Sequence, residues 1–446
     1  MTPHLRTFAF ALLVAGGLSA RPVHALPPGF GVETMLSGLS MPTALRFAPD
    51  GRLFYTELQT GRIRVLDEPG AVPRTWTTLP VYTEGERGLL GLVIHPDFPD
   101  SPYVYTFHTN PSPFQNQVLR HEEQGGEWVS STLLFTLGAN AMWHHGGRLA
   151  FGPDGMLYVS YGDQTELDLA DDPADLRGKI FRLGRGGRPA PGNPYGPTNP
   201  AALIAVRNVF GLTFDPLYGT GYFTENGESC DDEVHLLSLG RDYGWGSDDF
   251  CGTQPAGTEI PLLRFTPTIA PTGCVVYRGT GYAKHLDGNL FFGAFNDGTI
   301  RRVRFQANSV TTIDTSEVFH TDGLGVLDVT VGPDGFLWYS TTSAIKRITS
   351  VYTVGVGERT PATALRAWPN PFARAIAFAW TDGTRPDAIE ILDVTGRRVR
   401  SLDVRRAEVV WDGRDDAGTA AAPGVYFTRV TRGTDVAVRR IVRLAR

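Results

Sequence analysis

The chain is short of cysteine, with three among 446 residues, and short of methionine, with five. Three thiols without a Cys-x-x-Cys spacing argue against a structural zinc site. In an oxidising compartment they reduce to one disulfide and one remainder. Cys230–Cys251 is the preferred pair because it closes one loop region and leaves Cys274 over. No long stretch carries clean helical periodicity, which excludes a helical bundle. Beyond the N-terminal segment, no run is long and apolar enough to span a bilayer. A strong charge of one sign is also missing, since the formal net charge is -6. That charge is uneven: from Thr360 onward fifteen arginines face ten acids, so the preceding body carries -11. An acidic body argues against a nucleic-acid partner, and the basic part is too interspersed with acids to be a binding arm.

What is abundant is turn chemistry, with 52 Gly, 32 Pro and 11% aromatic residues, the composition of many short strands joined by tight turns. Residues 1–25 read as a signal peptide, with Arg6, an apolar run from Phe8 to Leu18 and a small-residue exit at Val23-His24-Ala25. The mature protein is then expected to be secreted or on the cell surface, exported through the periplasm, with no membrane span after signal removal. A repeat follows. Phe47-Ala48-Pro49-Asp50-Gly51, Ile94-His95-Pro96-Asp97, Phe151-Gly152-Pro153-Asp154-Gly155, Phe214-Asp215-Pro216 and Val331-Gly332-Pro333-Asp334-Gly335 each follow an apolar strand. Their prolines stand 47, 57, 63 and 117 residues apart, and Asp287-Gly288-Asn289 fills the double gap. Six units of about 57 residues suit four-stranded blades. The fold class is therefore all-β, a six-bladed β-propeller over residues 26–352. A linker at 353–363 leads to a small Ig-like β-sandwich over 364–446, marked by the alternation Ile389-Glu390-Ile391-Leu392 and by Trp411-Asp412-Gly413.

One stretch joins the repeat to chemistry. Trp143-His144-His145-Gly146-Gly147-Arg148-Leu149 opens a strand–turn–strand unit that ends at Gly162-Asp163. A histidine before one strand and an aspartate after its partner reach one rim of the sheet. There the carboxylate can hold the imidazole in the tautomer of a general base. His95 and His145 read as structural, and Asp154 with its repeats as turn formers.

These motifs, with Gly88-Leu89-Leu90-Gly91-Leu92, Leu176-Arg177-Gly178-Lys179-Ile180, Asp231-Asp232-Glu233 and Tyr243-Gly244-Trp245, resemble the soluble quinoprotein sugar dehydrogenases. This is the glucose/sorbosone dehydrogenase family, six-bladed propellers that use pyrroloquinoline quinone (PQQ) with calcium, and the resemblance runs from Phe30 to Ile348. It implies His144 as general base, Asp163 as the carboxylate orienting it, and Arg207 with Asn208 facing the reactive quinone oxygens. It implies calcium ligands at Asn226, Gly227 and Glu228, largely through carbonyls, with Asp232 in the same loop. Glu86 takes the place of a cofactor-facing glutamine. The resemblance also implies a lysine and two arginines on the PQQ carboxylates, where this chain has Asn296, Gly325 and Leu327. PQQ is therefore expected to bind with reduced affinity unless Arg87 or Arg148 compensates. The implied partners are a small-molecule sugar or other alcohol and an electron acceptor that the sequence does not identify.

The C-terminal unit resembles the FlgD-like immunoglobulin and type A sorting domains, through Trp368-Pro369-Asn370-Pro371-Phe372, Asp393-Val394-Thr395-Gly396-Arg397 and Trp411-Asp412-Gly413-Arg414-Asp415. That resemblance implies secretion machinery as a partner. Two other functions compete with the dehydrogenase: a cofactor-less propeller binding glycan or protein, and a calcium-dependent lactonase-type hydrolase.

Overall fold

The computed structural model describes residues 26–246, 251–307, 309–350 and 365–443, the last apart from 369, 371, 373, 381–384, 394–397, 406–407 and 433–434. The expected signal peptide at 1–25 and linker at 353–363 lie outside the described residues. Six four-stranded antiparallel sheets span residues 45–78, 89–137, 149–204, 209–265, 271–321 and 326–350, the last completed by Phe30–Ser37. Each is a blade. The first strand of each blade touches the first strands of its neighbours, so these strands line the axis. The N-terminal strand Phe30–Ser37 pairs with Ala344–Ser350 and becomes the outer strand of the sixth blade. The ring is thus closed by hydrogen bonds between the two ends of the propeller sequence.

The repeated turns join the first and second strands of the blades. Asp50, Asp154, Asp215 and Asp334 each accept, through Oδ1, the backbone N–H two residues on, at 2.8–3.1 Å. Glycine then supplies the positive φ, 74° at Gly155 and 78° at Gly335. The expectation that these aspartates are turn formers is borne out.

Apolar side chains pack between blades, as Phe107, Val159 and Phe181 do where the second and third meet. The axis is polar. Arg148, 2% exposed, donates to the carbonyls of Phe210, Thr43 and Leu327, which belong to three other parts of the ring. Asp328, fully buried, accepts from Leu45 N–H and Arg46 beside it. Every donor group of the Arg148 guanidinium is spent holding blades together, so burial of the charge is compensated.

After the propeller, the strands Leu365–Trp368, Ile376–Trp380 and Glu408–Trp411 form one sheet. Arg398–Leu402, Ala388–Leu392, Gly424–Arg432 and Asp435–Arg443 form a second. Ile376, Phe378, Ile389, Ile391, Trp411 and Ile441 bury a core of their own between them. This is the two-layer sandwich that the alternation indicated.

Candidate active site

In an antiparallel blade, the loop entering the first strand and the loop joining the second to the third open on the same face. Glu86, His144, Arg207 and Gly325 stand in loops of the first kind. Asp163, Asn226 to Glu228 and Asn296 stand in loops of the second. The topology therefore carries every candidate catalytic, cofactor and metal residue, Asp232 and Leu327 at the adjoining strand ends included, to one end of the propeller.

His144 is held at each of its polar groups that faces protein. Its N–H donates to Glu86 Oε2 at 2.7 Å, its carbonyl accepts from Gln164 Nε2 at 2.8 Å, and its Nδ1 meets Asp163 Oδ1 at 2.5 Å. The residue sits at φ +63°, a left-handed conformation that costs a non-glycine residue on the order of 1–3 kcal/mol. Gly162 is required beside it, because a Cβ there would lie 2.2 Å from the His144 carbonyl oxygen. Asp163 is 1% exposed and makes three further hydrogen bonds around that contact. Oδ1 also takes Thr165 N–H at 2.9 Å, Oδ2 takes Trp245 Nε1–H at 2.8 Å, and its own N–H donates to Arg207 O. With Asp163 accepting at Nδ1–H, the lone pair of His144 is on Nε2.

Arg207 lies next to this pair. Its guanidinium stacks 5.2 Å from the Trp245 ring, and Nη1 donates to the carbonyls of Asn226 and Gly227 at 3.0 and 2.7 Å. Its Nε is buried without a partner. Burial lowers the affinity of this guanidinium for its proton, with Asp163 and Glu86 opposing that effect. Asn208 donates to Glu86 at 3.2 Å and accepts Gly146 N–H at 3.1 Å, so Glu86 ties the backbone of His144 to Asn208. His145 is wholly buried between Asn116 and the Ala141 carbonyl, and burial lowers it to about 4. His95 Nδ1 accepts Asp97 N–H within its turn.

The residues expected around a metal stand in one loop, with Asp232 opening the strand that follows it. Asp232 has both carboxylate oxygens occupied by backbone N–H groups, of Gly227 on one and of Ile269 and Ala270 on the other. It clamps the loop through these three backbone hydrogen bonds. The carbonyls of Asn226 and Gly227 already carry Arg207, and Glu228 is exposed on the pocket wall with Asp231, Tyr243 and Trp245. Among the described residues, the acidic and imidazole side chains that do converge are Glu225, Glu233 and His235, with ligand atoms within 4.8 Å of one another. Their closeness follows from register, since Glu225 is paired with Glu233 across the second and third strands of the fourth blade. Burial alone would lower His235. Hydrogen bonding of the imidazole to Glu225 and Glu233 outweighs it and raises His235 to about 9, so a protonated histidine supplies the cation there. The disulfide Cys230–Cys251 closes the same loop region and Cys274 is free and buried, the pairing preferred above.

Neither expected substitute cation is available. Arg148 is spent on the axis. Arg87, 5% exposed, donates to the carbonyls of Ala139 and Asn140 and lies between the rings of Tyr82 and Phe114. At the other end of the face the Phe295 ring covers Gly325, where a Cβ would meet it at 2.4 Å, and Leu327 is 4% exposed.

Sequence reasoning missed three contributors. Trp245 bridges Asp163 and Arg207; Gln164 fixes the His144 carbonyl; Glu225 accepts Arg207 N–H at 2.5 Å. The Tyr243-Gly244-Trp245 motif was a signal for the first. No local pattern pointed to the others.

A six-bladed propeller with a carboxylate-oriented histidine and an arginine on one face defines the class. The chain belongs to the Glucose / Sorbosone dehydrogenase family, whose sequence profile matches residues 39–349. It is 31% identical over 300 residues, 58% of this chain and 62% of the relative, to quinoprotein glucose dehydrogenase B of Acinetobacter calcoaceticus. It is 25% identical over 344 residues, 71% of this chain and 91% of the relative, to the aldose sugar dehydrogenase YliI of Escherichia coli. The structure of the PQQ-bound form of aldose sugar dehydrogenase from Streptomyces coelicolor superposes with a TM-score of 0.64 at 26% identity, covering 73% of this chain and 99% of that one.

The face fits PQQ where hydride would be accepted. The unpartnered, buried Nε of Arg207 is a donor without an acceptor, and it lies on the same face as the His144–Asp163 pair. Toward the cofactor's three carboxylates, Asn296, Gly325 and Leu327 supply no charge, and Arg87 and Arg148 are committed elsewhere.

Proposed function

We propose that this protein is a dehydrogenase that oxidises a sugar or another alcohol with PQQ. The observation that carries the reading is the hydrogen bond from His144 Nδ1 to buried Asp163, which leaves Nε2 as the base. PQQ, when bound, accepts the two electrons as a hydride from the carbinol carbon. His144 Nε2 takes the hydroxyl proton of that carbon, and Asp163 stabilises the imidazolium that forms. The Arg207 guanidinium, whose Nε has no partner in the protein, would supply positive charge to the cofactor when it is bound, and Trp245 keeps both Asp163 and Arg207 in place. Asn208 and Glu86 brace the loop rather than react. Calcium is part of the proposal, through the Glu228 carboxylate and the remaining lone pairs of the Asn226 and Gly227 carbonyls, with the cofactor completing the shell. Export by the signal peptide, and retention or secretion through a FlgD-like or type A sorting unit at 364–446, belong to the same proposal.

Titration of the purified protein with PQQ and calcium, followed by calorimetry and absorbance, tests it. Binding is expected, with a dissociation constant raised on the order of a thousandfold by the missing cations, since losing one partner of a desolvated pair costs about 3–5 kcal/mol. His144→Ala should retain binding and lose turnover by about 10²–10⁴-fold. No heat and no spectral change at high PQQ would instead support a propeller that binds glycan or protein. That second reading is favoured by the uncharged Asn296–Gly325–Leu327 end alone.

A further inference from the structure

Asp163-Gln164-Thr165-Glu166 forms a tight turn, closed by Glu166 N–H on the Asp163 carbonyl at 3.0 Å. Both of its central residues stand at positive φ, 55° at Gln164 and 63° at Thr165. Glycine or asparagine ordinarily takes such positions, and a β-branched residue there is an outlier. His144 is left-handed as well. Three of the seven non-glycine residues at positive φ among the described residues therefore stand around the Asp163 carboxylate. Gln164 carries a second cost. It is 5% exposed, its Nε2 donates to the His144 carbonyl at 2.8 Å, and its Oε1 is buried with no donor on it. An amide oxygen placed so has lost its hydration without a replacement. Glycine at 164 would remove both costs, and asparagine would tolerate the φ but is one methylene shorter. What glutamine provides is the hydrogen bond to His144. Strain that the surroundings over-determine gathers at functional sites.

We propose that Gln164 is a positioning residue for the base, holding His144 in its left-handed conformation so that Nδ1–H stays on Asp163 and Nε2 keeps its aim. It rests on the dehydrogenase reading. His144 is fastened at three points, by Glu86 on its N–H, by Asp163 on Nδ1 and by Gln164 on its carbonyl. A left-handed residue relaxes downhill once its peptide is free to turn. With the Gln164 donor gone, the His144 carbonyl is released and the imidazole rotates away from Asp163 Oδ1. Gln164 acts through His144 and transfers no proton.

Two variants of the full chain remove the donor: Gln164→Met keeps the volume, and Gln164→Gly also relieves the backbone. In the unloaded protein, the Nδ1 proton of nitrogen-labelled His144 should exchange with water about tenfold faster in both. In PQQ-loaded protein kcat should fall about tenfold with KM within about twofold. Gln164→Gly should resist urea better than Gln164→Met and yet turn over no faster, a split that a purely structural role does not give. The ionisable groups joined to this contact are His144, Asp163, Glu86 on the His144 N–H, and Arg207, whose carbonyl accepts Asp163 N–H. Gln164→Glu places among them a carboxyl that donates to the His144 carbonyl only when protonated. Its kcat relative to wild type should therefore rise as pH falls from about 8.5 to about 6. A bare charge beside His144 would act oppositely, holding the imidazole proton and lowering that ratio in acid. A folded Gln164→Met protein with unchanged Nδ1 proton exchange, or with unchanged kcat where the wild type turns over, overturns the proposal. Faster exchange in a protein that oxidises no sugar would remove the dehydrogenase and leave the hold on His144 standing.

Discussion

Replacing Asp163 by asparagine keeps the shape of the side chain and removes one acceptor. Three donors converge on the two carboxylate oxygens: His144 Nδ1–H and Thr165 N–H on one, Trp245 Nε1–H on the other. An amide has one oxygen and one NH₂, so a donor must face a donor in either orientation. If the oxygen stays toward His144, Trp245 Nε1–H is left buried and unpaired at a cost of about 1–3 kcal/mol in stability, and Arg207 loses its support. If the NH₂ turns toward His144, the imidazole must accept at Nδ1 and carry its proton on Nε2, where the base is needed. The second outcome should lower kcat by about 10²–10⁴-fold, worth roughly 3–5 kcal/mol in the barrier. Steady-state turnover of PQQ-loaded protein with a dye acceptor gives the rate, urea unfolding gives the stability, and nitrogen chemical shifts of His144 report the tautomer. A folded Asp163→Asn protein with both turnover and stability unchanged from the wild type would refute the assignment of His144 as a base oriented by Asp163.

Acid should weaken the propeller through its buried histidines. Burial lowers His95, His108 and His145 to about 4 and His121 to about 3. Between about pH 6.5 and 4 the unfolded chain binds protons that these folded imidazoles refuse, so stability falls with pH by about 1.4 kcal/mol per unit for each. His235 works the other way, contributing stability below pH 6.5 that is lost as pH rises through about 9. Urea midpoints at pH 7, 6 and 5 check this, and a flat series would contradict it. A chain ending at Arg359 is expected to unfold in urea as the full chain's propeller does and to keep PQQ binding, because Phe30–Ser37 already completes the sixth blade. Loss of folding in that truncation would mean that residues beyond 359 support the ring.

The fold was legible because its determinants are local. A Pro-Asp-Gly turn needs only an aspartate that accepts two residues on and a glycine at positive φ, as at Asp154 and Asp334, and the turns of this kind with their variants mark six blades. His144 and Asp163 were legible for the same reason, being the two ends of one strand–turn–strand unit. The disulfide was legible as the pairing that closes one loop region.

What required the tertiary structure was the use made of each polar group. Arg148 and Arg87 read as free cations in the sequence, and only the packed ring shows their donors spent on carbonyls of distant blades or loops. Asp232 read as a ligand by its acidic neighbours, yet its oxygens are filled by Gly227, Ile269 and Ala270, two of them nearly forty positions away. His235 carried no signal at all until cross-strand register set it against Glu225 and Glu233. Turn propensity and strand alternation are properties of neighbours in the chain, so the sequence determined the propeller and the rim pair. A buried charge is decided by whatever donors or acceptors folding brings around it, and those come from other blades.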